Sequence, residues 1–384
     1  MDPKLLDPSI VGAFPRGCRI LTITKHGETN WSIGFKITVR LFIDPPKAQH
    51  AESFFVKITS RASYLPMAQA EYEGQLGLSR VIPQHTVKPV AWGSYRRFDH
   101  SQKLKTFTWF LAPFHTLRPA TPRELSSMLP LIIKAIQQNS VSPSGKFGFH
   151  IAPFFGPPRM QHVTNWTSSW EEIFTREFRS NLAYLLHSRA RELKDSELND
   201  LVRLAEQFIV KVIPRLLRPL QTGGRNIKPV LLHGDLWHGN MSIDTATGQM
   251  IIFDPYAFYG HQEMKLQCWA HNRYHEVPGG SGLKLGKMIR RYEEVVRADE
   301  PVDDFEDRVR LSAARNEIAS GGIVRKGERE EDWRGILEGV KEEMKRLLGK
   351  YPEGIAGFEM GLTPTAARAE TQVARKRRRV RATL

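Results

Sequence analysis

The residues of this chain that are best suited to chemistry are three oxygen-bearing side chains in one short stretch. Asp235 and Asn240 are five residues apart in the loop HGDLWHGN, and Asp254 follows the apolar segment 250–253. Between the loop and Asp254, a Thr-Ala-Thr-Gly turn joins two apolar segments, a pattern that predicts a β-hairpin. Because a hairpin returns the chain to its starting end, we expect the three side chains to converge there.

This group of side chains is suited to phosphoryl transfer. We predict that Asp235 orients or deprotonates an attacking hydroxyl, while Asn240 and Asp254 hold Mg²⁺ on the phosphates of ATP. Kinase catalytic loops use the same D-x-x-x-x-N spacing, followed by a metal-binding Asp after a hairpin. The alternative is a turn whose Asp and Asn side chains cap their own backbone. The His-Gly before Asp235 and the strand that runs into Asp-Pro favour catalysis.

The segments upstream of this stretch predict a small sheet. Residues rich in Ile, Val, Thr and Phe predict strands at 18–24, 34–43, 53–58, 87–93 and 106–112. A helix is predicted at 66–78, between the third and fourth strands. The polar loop KHGETNWSIG joins the first two strands, and its backbone N–H groups are suited to cover nucleotide phosphates, with Asn30 and Ser32 as the candidate contacts. A plain hairpin is the alternative.

A lysine on the third strand is the candidate phosphate-binding residue. Lys57 lies in SFFVKI, and the helix that follows carries Glu71 and Glu73. Kinases grip the α- and β-phosphates with a strand lysine that is paired to a helical glutamate. We predict this role for Lys57 with Glu71, and Glu73 competes with Glu71 as the partner. A strand lysine at a sheet edge is the alternative.

The fifth strand ends in LAPFHTL, where we place the hinge between two lobes. A hinge binds adenine through backbone groups. Pro113 has no N–H, so we predict that the carbonyl of Ala112 and the N–H of Phe114 make these contacts. The alternative is a strand that simply ends at a proline.

After the hinge, the apolar pattern becomes helical. Helices are predicted at 122–138, 169–186, 196–218, 285–297, 303–318 and 331–348. The predicted fold class is therefore α+β: a protein-kinase-like two-lobe fold, with a small antiparallel sheet and one helix in the N-lobe and a mainly helical C-lobe. We place the nucleotide-binding lobe at 1–113, the helical lobe with the catalytic loop and hairpin at 114–360, and a disordered basic tail at 361–384.

Composition predicts a globular cytoplasmic protein. The chain has 384 residues, of which 41% are hydrophobic and 25% charged. No apolar run approaches the roughly 20 residues that cross a bilayer, and the N-terminus has acids and prolines where a signal peptide needs an apolar run. The net charge is +15, and the run at 375–381 holds six basic residues. This run suggests either nuclear import or a contact with nucleic acid, although such charge is usually only solvated.

The motifs together resemble the fructosamine/ribulosamine 3-kinases, within the aminoglycoside- and choline-kinase-like group of protein-kinase-like folds. The resemblance covers roughly residues 20–350 and is carried by FFVKI, AEYEG, KFGF, NWTSSW, LLHGDLWHGN and IIFDPYAFYGHQE. It implies ATP and Mg²⁺ as cofactors, and phosphorylation of the sugar 3-hydroxyl of a ketosamine on a protein lysine or a small amine. The phosphorylated adduct then falls off, which amounts to deglycation. By position, Lys57 and Glu71 are the phosphate lysine and its partner.

Two departures from the family bear on the substrate side. Many members carry a small residue where His238 stands, and an acid followed by Leu-Ala near Lys265, where this chain reads EMKLQCW. We predict substrate contacts at Trp237, His238, His261 and Glu263. Core packing is the alternative for Trp237, and helix capping is the alternative for His261 and Glu263.

Two other function classes remain open from the sequence. One is a small-molecule kinase of the same fold that acts on an aminoglycoside or an amino alcohol. The other is a non-catalytic nucleic-acid-binding protein, which only the charge suggests and which leaves the Asp235, Asn240 and Asp254 set unexplained. The sequence does not indicate an oligomeric state.

Overall fold

The computed structural model describes residues 6–28, 32–41, 50–59, 65–98, 102–156, 159–270, 285–324 and 330–361. Within them, a five-stranded antiparallel sheet forms the N-lobe, in the order β1-β2-β3-β5-β4. Its strands are β1 Arg19–Glu28, β2 Ser32–Leu41, β3 His50–Thr59, β4 Ala91–Phe98 and β5 Leu104–Pro113, and the helix between β3 and β4 is α2, Leu65–Val81. The predicted five strands and one helix are confirmed. Asn30 and the predicted tail after Gly361 lie outside the described residues.

The fourth strand begins four residues later than predicted. Residues that we assigned to the start of this strand are instead bound to other elements. The Gln75 side chain donates to the carbonyl of Val87 at 2.9 Å and also contacts the Thr86 hydroxyl. Thr86 in turn donates to the carbonyl of Ile252, in the hairpin of the other lobe, at 3.0 Å. The segment before Ala91 therefore ties α2 to the C-lobe.

A short helix that the sequence did not predict covers the outer face of the sheet. This helix, α1 (Pro8–Val11), has Asp7 as its N-cap. Ile10 and Phe14 are buried in the same apolar cluster as Ile37 and Val56. A four-residue helix carries too little periodicity to be detected in a sequence. Its packing leaves the opposite face of the sheet, which carries Lys57, for the cleft.

The C-lobe is mainly helical, as predicted. Its longer helices are α3 Pro122–Asn139, α4 Trp170–Arg189, α5 Asp195–Leu217, α6 Leu285–Val295, α7 Phe305–Ile323 and α8 Glu330–Lys350, followed by the short α9 Gly354–Glu359. One continuous apolar core joins these helices to the strands around the catalytic loop. Among the described residues, no helix is both long and apolar enough to cross a membrane.

Short strands in the C-lobe position the catalytic stretch. β7 (Val230–Leu232) leads into the loop and pairs with β10 (Phe258–Gly260). β8 (Met241–Asp244) and β9 (Met250–Ile252) form the predicted hairpin, and β6 (Leu117–Pro119), just after the hinge, pairs with β8. All three residues of β7 and of β9 are buried. The loop and Asp254 therefore emerge from the apolar core at the same end of these strands.

Candidate active site

The predicted base and its neighbouring asparagine are in direct contact. The Asn240 side-chain amide donates to Asp235 twice, to the backbone carbonyl at 3.0 Å and to carboxylate Oδ2 at 2.9 Å. Asn240 is buried and lies in a 3₁₀ turn, His238–Asn240, that closes the loop. The amide therefore fixes the direction of the Asp235 carboxylate, which is partly exposed to the cleft.

His233 holds the loop to the segment between β9 and Asp254. Its Nε2 lies 2.9 Å from the Phe253 carbonyl, and its Nδ1 accepts the Asp235 N–H at 3.3 Å. Burial lowers the pKa of His233 to about 4. The ring is therefore neutral at physiological pH, with its proton on Nε2, which is the tautomer that both bonds require. His233 thus orients the loop.

Asp254 lies two residues after β9, in a backbone conformation that side-chain-bearing residues rarely adopt. Its φ is +60°, in the left-handed region that is uncommon for residues other than glycine and clusters at functional sites. Lys57 Nζ lies 2.8 Å from Asp254 Oδ1 and 3.0 Å from Glu71 Oε2. The structure therefore brings the strand lysine, the helical glutamate and the aspartate after the hairpin to one point.

The ionisation of this cluster follows from its charges. Burial alone would lower the pKa of Lys57, but the carboxylates of Asp254 and Glu71 outweigh burial and raise it. Lys57 in turn lowers the pKa of Asp254. Both groups are therefore charged at neutral pH. Lys57 is a pre-placed cation, and Asp254 is a carboxylate whose side chain remains 53% exposed.

Glu73, which competed with Glu71 in the sequence, has a different partner. His150 Nε2 lies 3.3 Å from the Glu73 carboxylate, at an exposed position. Glu71 and Glu73 are two residues apart on α2, so a helix turns them to different sides. The competition is resolved in favour of Glu71 as the partner of Lys57.

Asp254 and Asn240 fit a hard divalent cation. Asn240 uses its amide nitrogen to hold Asp235, which leaves its side-chain oxygen for a metal ion. The Phe253 N–H donates to the Asn240 carbonyl at 3.2 Å, so the residue before Asp254 is bonded to Asn240. A carboxylate and an amide oxygen are ligands of the kind that Mg²⁺ accepts, with water and phosphate oxygens completing the shell. These two residues would hold the ion.

A cleft of about 210 Å³ between the lobes contains this cluster. Its walls come from β3, β5 and α2 on one side and from the catalytic loop and Asp254 on the other. Phe154, Phe155 and Gly156, from the aromatic loop before α4, also line the cleft. Ser32, at the start of β2, is buried and lines the cleft as well.

The hinge differs from the prediction by one residue. The Phe114 N–H donates to the Ser53 carbonyl at 2.9 Å, so it is not available to a nucleotide base. Ala112 lies two residues before Phe114 and stands opposite Phe55 in the same pairing of β5 with β3. Because hydrogen-bonded pairs recur at every second residue of an antiparallel ladder, the Ala112 carbonyl is directed at β3 as well. Neither predicted contact of the hinge is therefore turned toward the base.

The backbone groups on the other side of β5 are the better candidates. Pro113 lies beyond the last paired residues of β4 and β5, Ala91 and Leu111, so its carbonyl is turned to a side that β4 does not cover. The next N–H with that orientation belongs to His115. The His115 ring contacts Asp244 at the end of β8, with Nδ1 and Oδ2 2.9 Å apart, and this contact fixes the hinge to the hairpin.

Of the predicted substrate residues, Trp237 and His238 remain candidates. Both are partly exposed in the catalytic loop, and their ring centroids are 4.9 Å apart. The Trp237 ring also covers Gly239, where a Cβ would lie only 2.3 Å from the ring. Gly239 therefore allows the indole to lie flat against the loop.

The prediction for His261 and Glu263 is wrong, because both are buried in the C-lobe and bound to other residues. Glu263 is 1% exposed and forms a two-point ion pair with Arg308, at 2.6 and 2.8 Å. His261 Nε2 lies 2.8 Å from Asp299 Oδ2. A carboxylate that is paired in this way in the interior has no free oxygen to offer a substrate. The two residues brace the segment that follows β10.

Sequence reasoning also missed the buried residues that contact the catalytic loop from the interior of the C-lobe. Cys268 is buried, with Sγ 3.8 Å from Asp235 Oδ1. Gln267 and Tyr256 are buried and bonded to each other and to the loop. Polar residues in apolar surroundings, such as the Gln in KLQCW, were the one available signal.

The chain is similar to proteins of one kinase family over more than half of its length. A sequence model of the family described as Fructosamine kinase matches residues 36–276, more than half of the chain. The mouse protein named Ketosamine-3-kinase is 28% identical over 229 residues, which span 55% of this chain and 67% of the mouse protein. The chloroplastic Protein-ribulosamine 3-kinase of japonica rice is 32% identical over 135 residues, which span 35% of each chain.

A solved structure has the same fold. It comes from Haemophilus somnus 129PT, and its name assigns it provisionally to the fructosamine-3-kinases. It superposes with a TM-score of 0.57 at 15% identity and covers 86% of this chain and 92% of its own. At this identity the superposition shows the fold alone, which is protein-kinase-like. Since the family model spans both the Lys57 strand and the catalytic hairpin, the chain belongs to the fructosamine kinase family.

Proposed function

We propose that this protein transfers the γ-phosphoryl group of ATP to the sugar 3-hydroxyl of a ketosamine, a fructosamine or ribulosamine adduct of an amine. The observation that carries the proposal is the meeting of Lys57, Glu71 and Asp254 in one cleft with the Asp235–Asn240 pair. This set provides a nucleophile-orienting carboxylate, a phosphate-binding cation and ligands for a divalent ion. The names of the mouse and rice relatives support a ketosamine or ribulosamine as the acceptor.

In the proposed reaction, Asp235 accepts a hydrogen bond from the sugar hydroxyl and takes its proton as the oxygen attacks the γ-phosphorus. The new O–P bond forms while the bond to the β-phosphate oxygen breaks, so ADP leaves with the electron pair. Lys57 stabilises charge on the α- and β-phosphates, and Glu71 keeps its ammonium in place. A Mg²⁺ ion bound by Asp254 and Asn240 would supply charge neutralisation on the transferred group.

The cleft suggests how the other parts of the two substrates bind. Residues 1–113 form the proposed nucleotide-binding lobe, and the base would contact the Pro113 carbonyl and the His115 N–H. The acceptor enters from the side of residues 114–360, where Trp237 and the aromatic residues Phe154 and Phe155 offer flat apolar surfaces for a sugar ring or the chain of a lysine. Glycated protein lysines and small glycated amines both fit this description.

Mass spectrometry tests the proposal directly. Fructosamine-lysine and ribulosamine-lysine are incubated with the protein and MgATP, in parallel with choline and an aminoglycoside. We expect the ketosamines to gain one phosphoryl group, located at the third sugar carbon by NMR, and the variant Asp235→Asn to leave them unmodified. Phosphorylation of choline or of the aminoglycoside alone would overturn the assignment of the acceptor and favour the small-molecule kinase.

A further inference from the structure

Two buried side chains that have no step of the proposed chemistry hold the catalytic loop from the interior of the C-lobe. Gln267 is 1% exposed, and Tyr256 is 3% exposed. The Gln267 amide donates to the Gly234 carbonyl at 2.5 Å and to the Tyr256 hydroxyl at 2.7 Å. These two bonds use both hydrogens of the amide, so its orientation is determined. Gln267 therefore joins the loop to Tyr256.

The bond from Gln267 reaches the peptide group that carries Asp235. The Gly234 carbonyl and the Asp235 N–H belong to this one planar unit. Gln267 holds its carbonyl end, and His233 Nδ1 accepts its N–H at 3.3 Å. A rotation of the peptide would break both bonds and change the direction in which Asp235 leaves the backbone. Gly234 has a φ of +86°, so this unit departs from the conformations that most residues prefer.

Tyr256 connects Gln267 to the rigid centre of the C-lobe. Its hydroxyl donates to Asn316 Oδ1 and accepts from Arg315, each at 3.2 Å. Both partners lie on α7 and are buried. The Tyr256 ring also lies so close to Gly234 that a Cβ there would be 2.6 Å from it.

We propose that Gln267 and Tyr256 are positioning residues for the base: they transmit the packing of α7 to the Gly234–Asp235 peptide and thereby fix the direction of the Asp235 carboxylate. This inference rests on the proposed function, in which Asp235 accepts the proton of the attacking hydroxyl. Both act through the peptide that carries Asp235, and neither has a step of the phosphoryl transfer assigned to it. Their effect is on the geometry of proton acceptance, where a misplacement on the order of 1 Å costs about 100-fold in rate.

A merely structural role must be separated from a positioning role. Gln262 provides a matched control, because it lies on the same segment, Gln262–Ala270, and is also buried. Its amide donates to Asp299 Oδ2 at 2.7 Å, which lies outside the catalytic loop. Replacing either glutamine by leucine removes one buried amide from the same segment. Only the change at Gln267 releases the Gly234 carbonyl.

The experiment compares the kinetics and stability of Gln267→Leu and Gln262→Leu in the full chain. We expect Gln267→Leu to lower kcat about 10- to 100-fold and to leave KM for MgATP within about twofold, since the lost contact acts on the base and not on the nucleotide. Gln262→Leu should lower the unfolding free energy to a similar extent and leave kcat within about twofold. Tyr256→Phe should lower kcat about fivefold, and the double variant Gln267→Leu with Tyr256→Phe should be no slower than Gln267→Leu alone.

Hydrogen exchange of the free protein gives a readout that does not depend on the substrate. We expect the amides of residues 231–240 to exchange faster in Gln267→Leu than in wild type or Gln262→Leu. Unchanged exchange in these amides would overturn the inference, and so would an equal loss of kcat in the two leucine variants. If wild type phosphorylates no ketosamine while exchange increases as expected, the proposed function fails and the positioning of the loop stands.

Discussion

Lys265 is a lysine in the interior of the C-lobe, and its removal should stabilise the protein. It is 3% exposed, and among the described residues no hydrogen-bond acceptor reaches its ammonium nitrogen. Burial lowers the pKa of Lys265 to about 7, from an ordinary value of 10.5. Methionine matches the length and flexibility of the lysine stem and carries no charge. The informative perturbation is therefore Lys265→Met.

The size and the pH dependence of the effect follow from the two pKa values. Below pH 7 the ammonium is charged in both the folded and the unfolded chain, and the difference in pKa corresponds to about 5 kcal/mol of destabilisation. Between pH 7 and 10.5 the unfolded chain binds the proton and the folded chain does not. The unfolding free energy therefore rises with pH across this window, by roughly 1.4 kcal/mol per pH unit. Above pH 10.5 the lysine is neutral in both the folded and the unfolded chain, so the cost of burying its charge is absent.

Denaturant unfolding of wild type and Lys265→Met at pH 7 and pH 9 measures this effect. We expect the variant to be more stable by about 4 kcal/mol at pH 7 and by about 2 kcal/mol at pH 9. Lys345→Met, which removes an exposed lysine from α8, should follow wild type at both values. Most core substitutions destabilise, so a gain is a sharp expectation. A Lys265→Met variant that is less stable than wild type, or whose advantage is equal at the two pH values, would refute the reasoning.

Further variants test the roles in the cleft. Asp235→Asn should lower kcat by about 10² to 10⁴ with ATP binding intact, as measured by steady-state kinetics and calorimetry; near-normal turnover would remove Asp235 from the mechanism. Asp254→Ala should abolish the tightening of nucleotide binding by Mg²⁺, and Asn240→Ala should weaken it only partly, because an amide brings no charge to the cation; equal MgATP affinity in wild type and Asp254→Ala would contradict this assignment. Glu71→Gln should raise KM for MgATP roughly tenfold through the loss of a charge-assisted contact to Lys57, with a smaller change in kcat; a selective loss of kcat would argue against this role.

The parts of the site that lie close together in the sequence were predictable. HGDLWHGN, the Thr-Ala-Thr-Gly turn and the strand into Asp254 form one local unit, in which the spacing and the turn chemistry constrain the geometry. The Lys57–Glu71 pair followed from the order strand, loop, helix. The two glutamates on α2 were not distinguishable in the sequence, since the choice depends on which side of the helix faces β3.

The hinge shows why the position of a segment in the sequence does not determine which of its backbone groups are free. The sequence predicted it at residues 112–114, where Pro113 is unable to donate. Backbone groups in an antiparallel ladder point alternately to the two sides of the strand, so an error of one residue reverses their direction. The hydrogen bond from the Phe114 N–H to the Ser53 carbonyl determines which residues of the hinge face β3. This bond depends on how far β3 extends toward its N-terminus.

Residues whose role depends on distant partners could not be assigned from the sequence. His261 and Glu263 follow the hairpin closely, which suggested the cleft. Glu263 instead binds Arg308, 45 residues later, and a buried carboxylate requires such a partner. Lys265 lies two residues beyond Glu263 and finds no hydrogen-bond partner in the part of the chain that the structure describes. The alternation of paired and unpaired charge along one short segment reflects packing against α7, which the sequence does not reveal.

The support of the loop and the destabilising lysine have different pH dependences, although they lie on one segment. The groups that hold the Gly234–Asp235 peptide are a neutral amide, Gln267, and an imidazole, His233, whose burial lowers its pKa to about 4. Neither gains nor loses a proton between about pH 5 and 9. Lys265 does change its charge in that range. Stability should therefore vary with pH while the direction of Asp235 stays fixed, so a loss of activity in Gln267→Leu should be the same at pH 7 and at pH 9, where Lys265→Met changes only the stability.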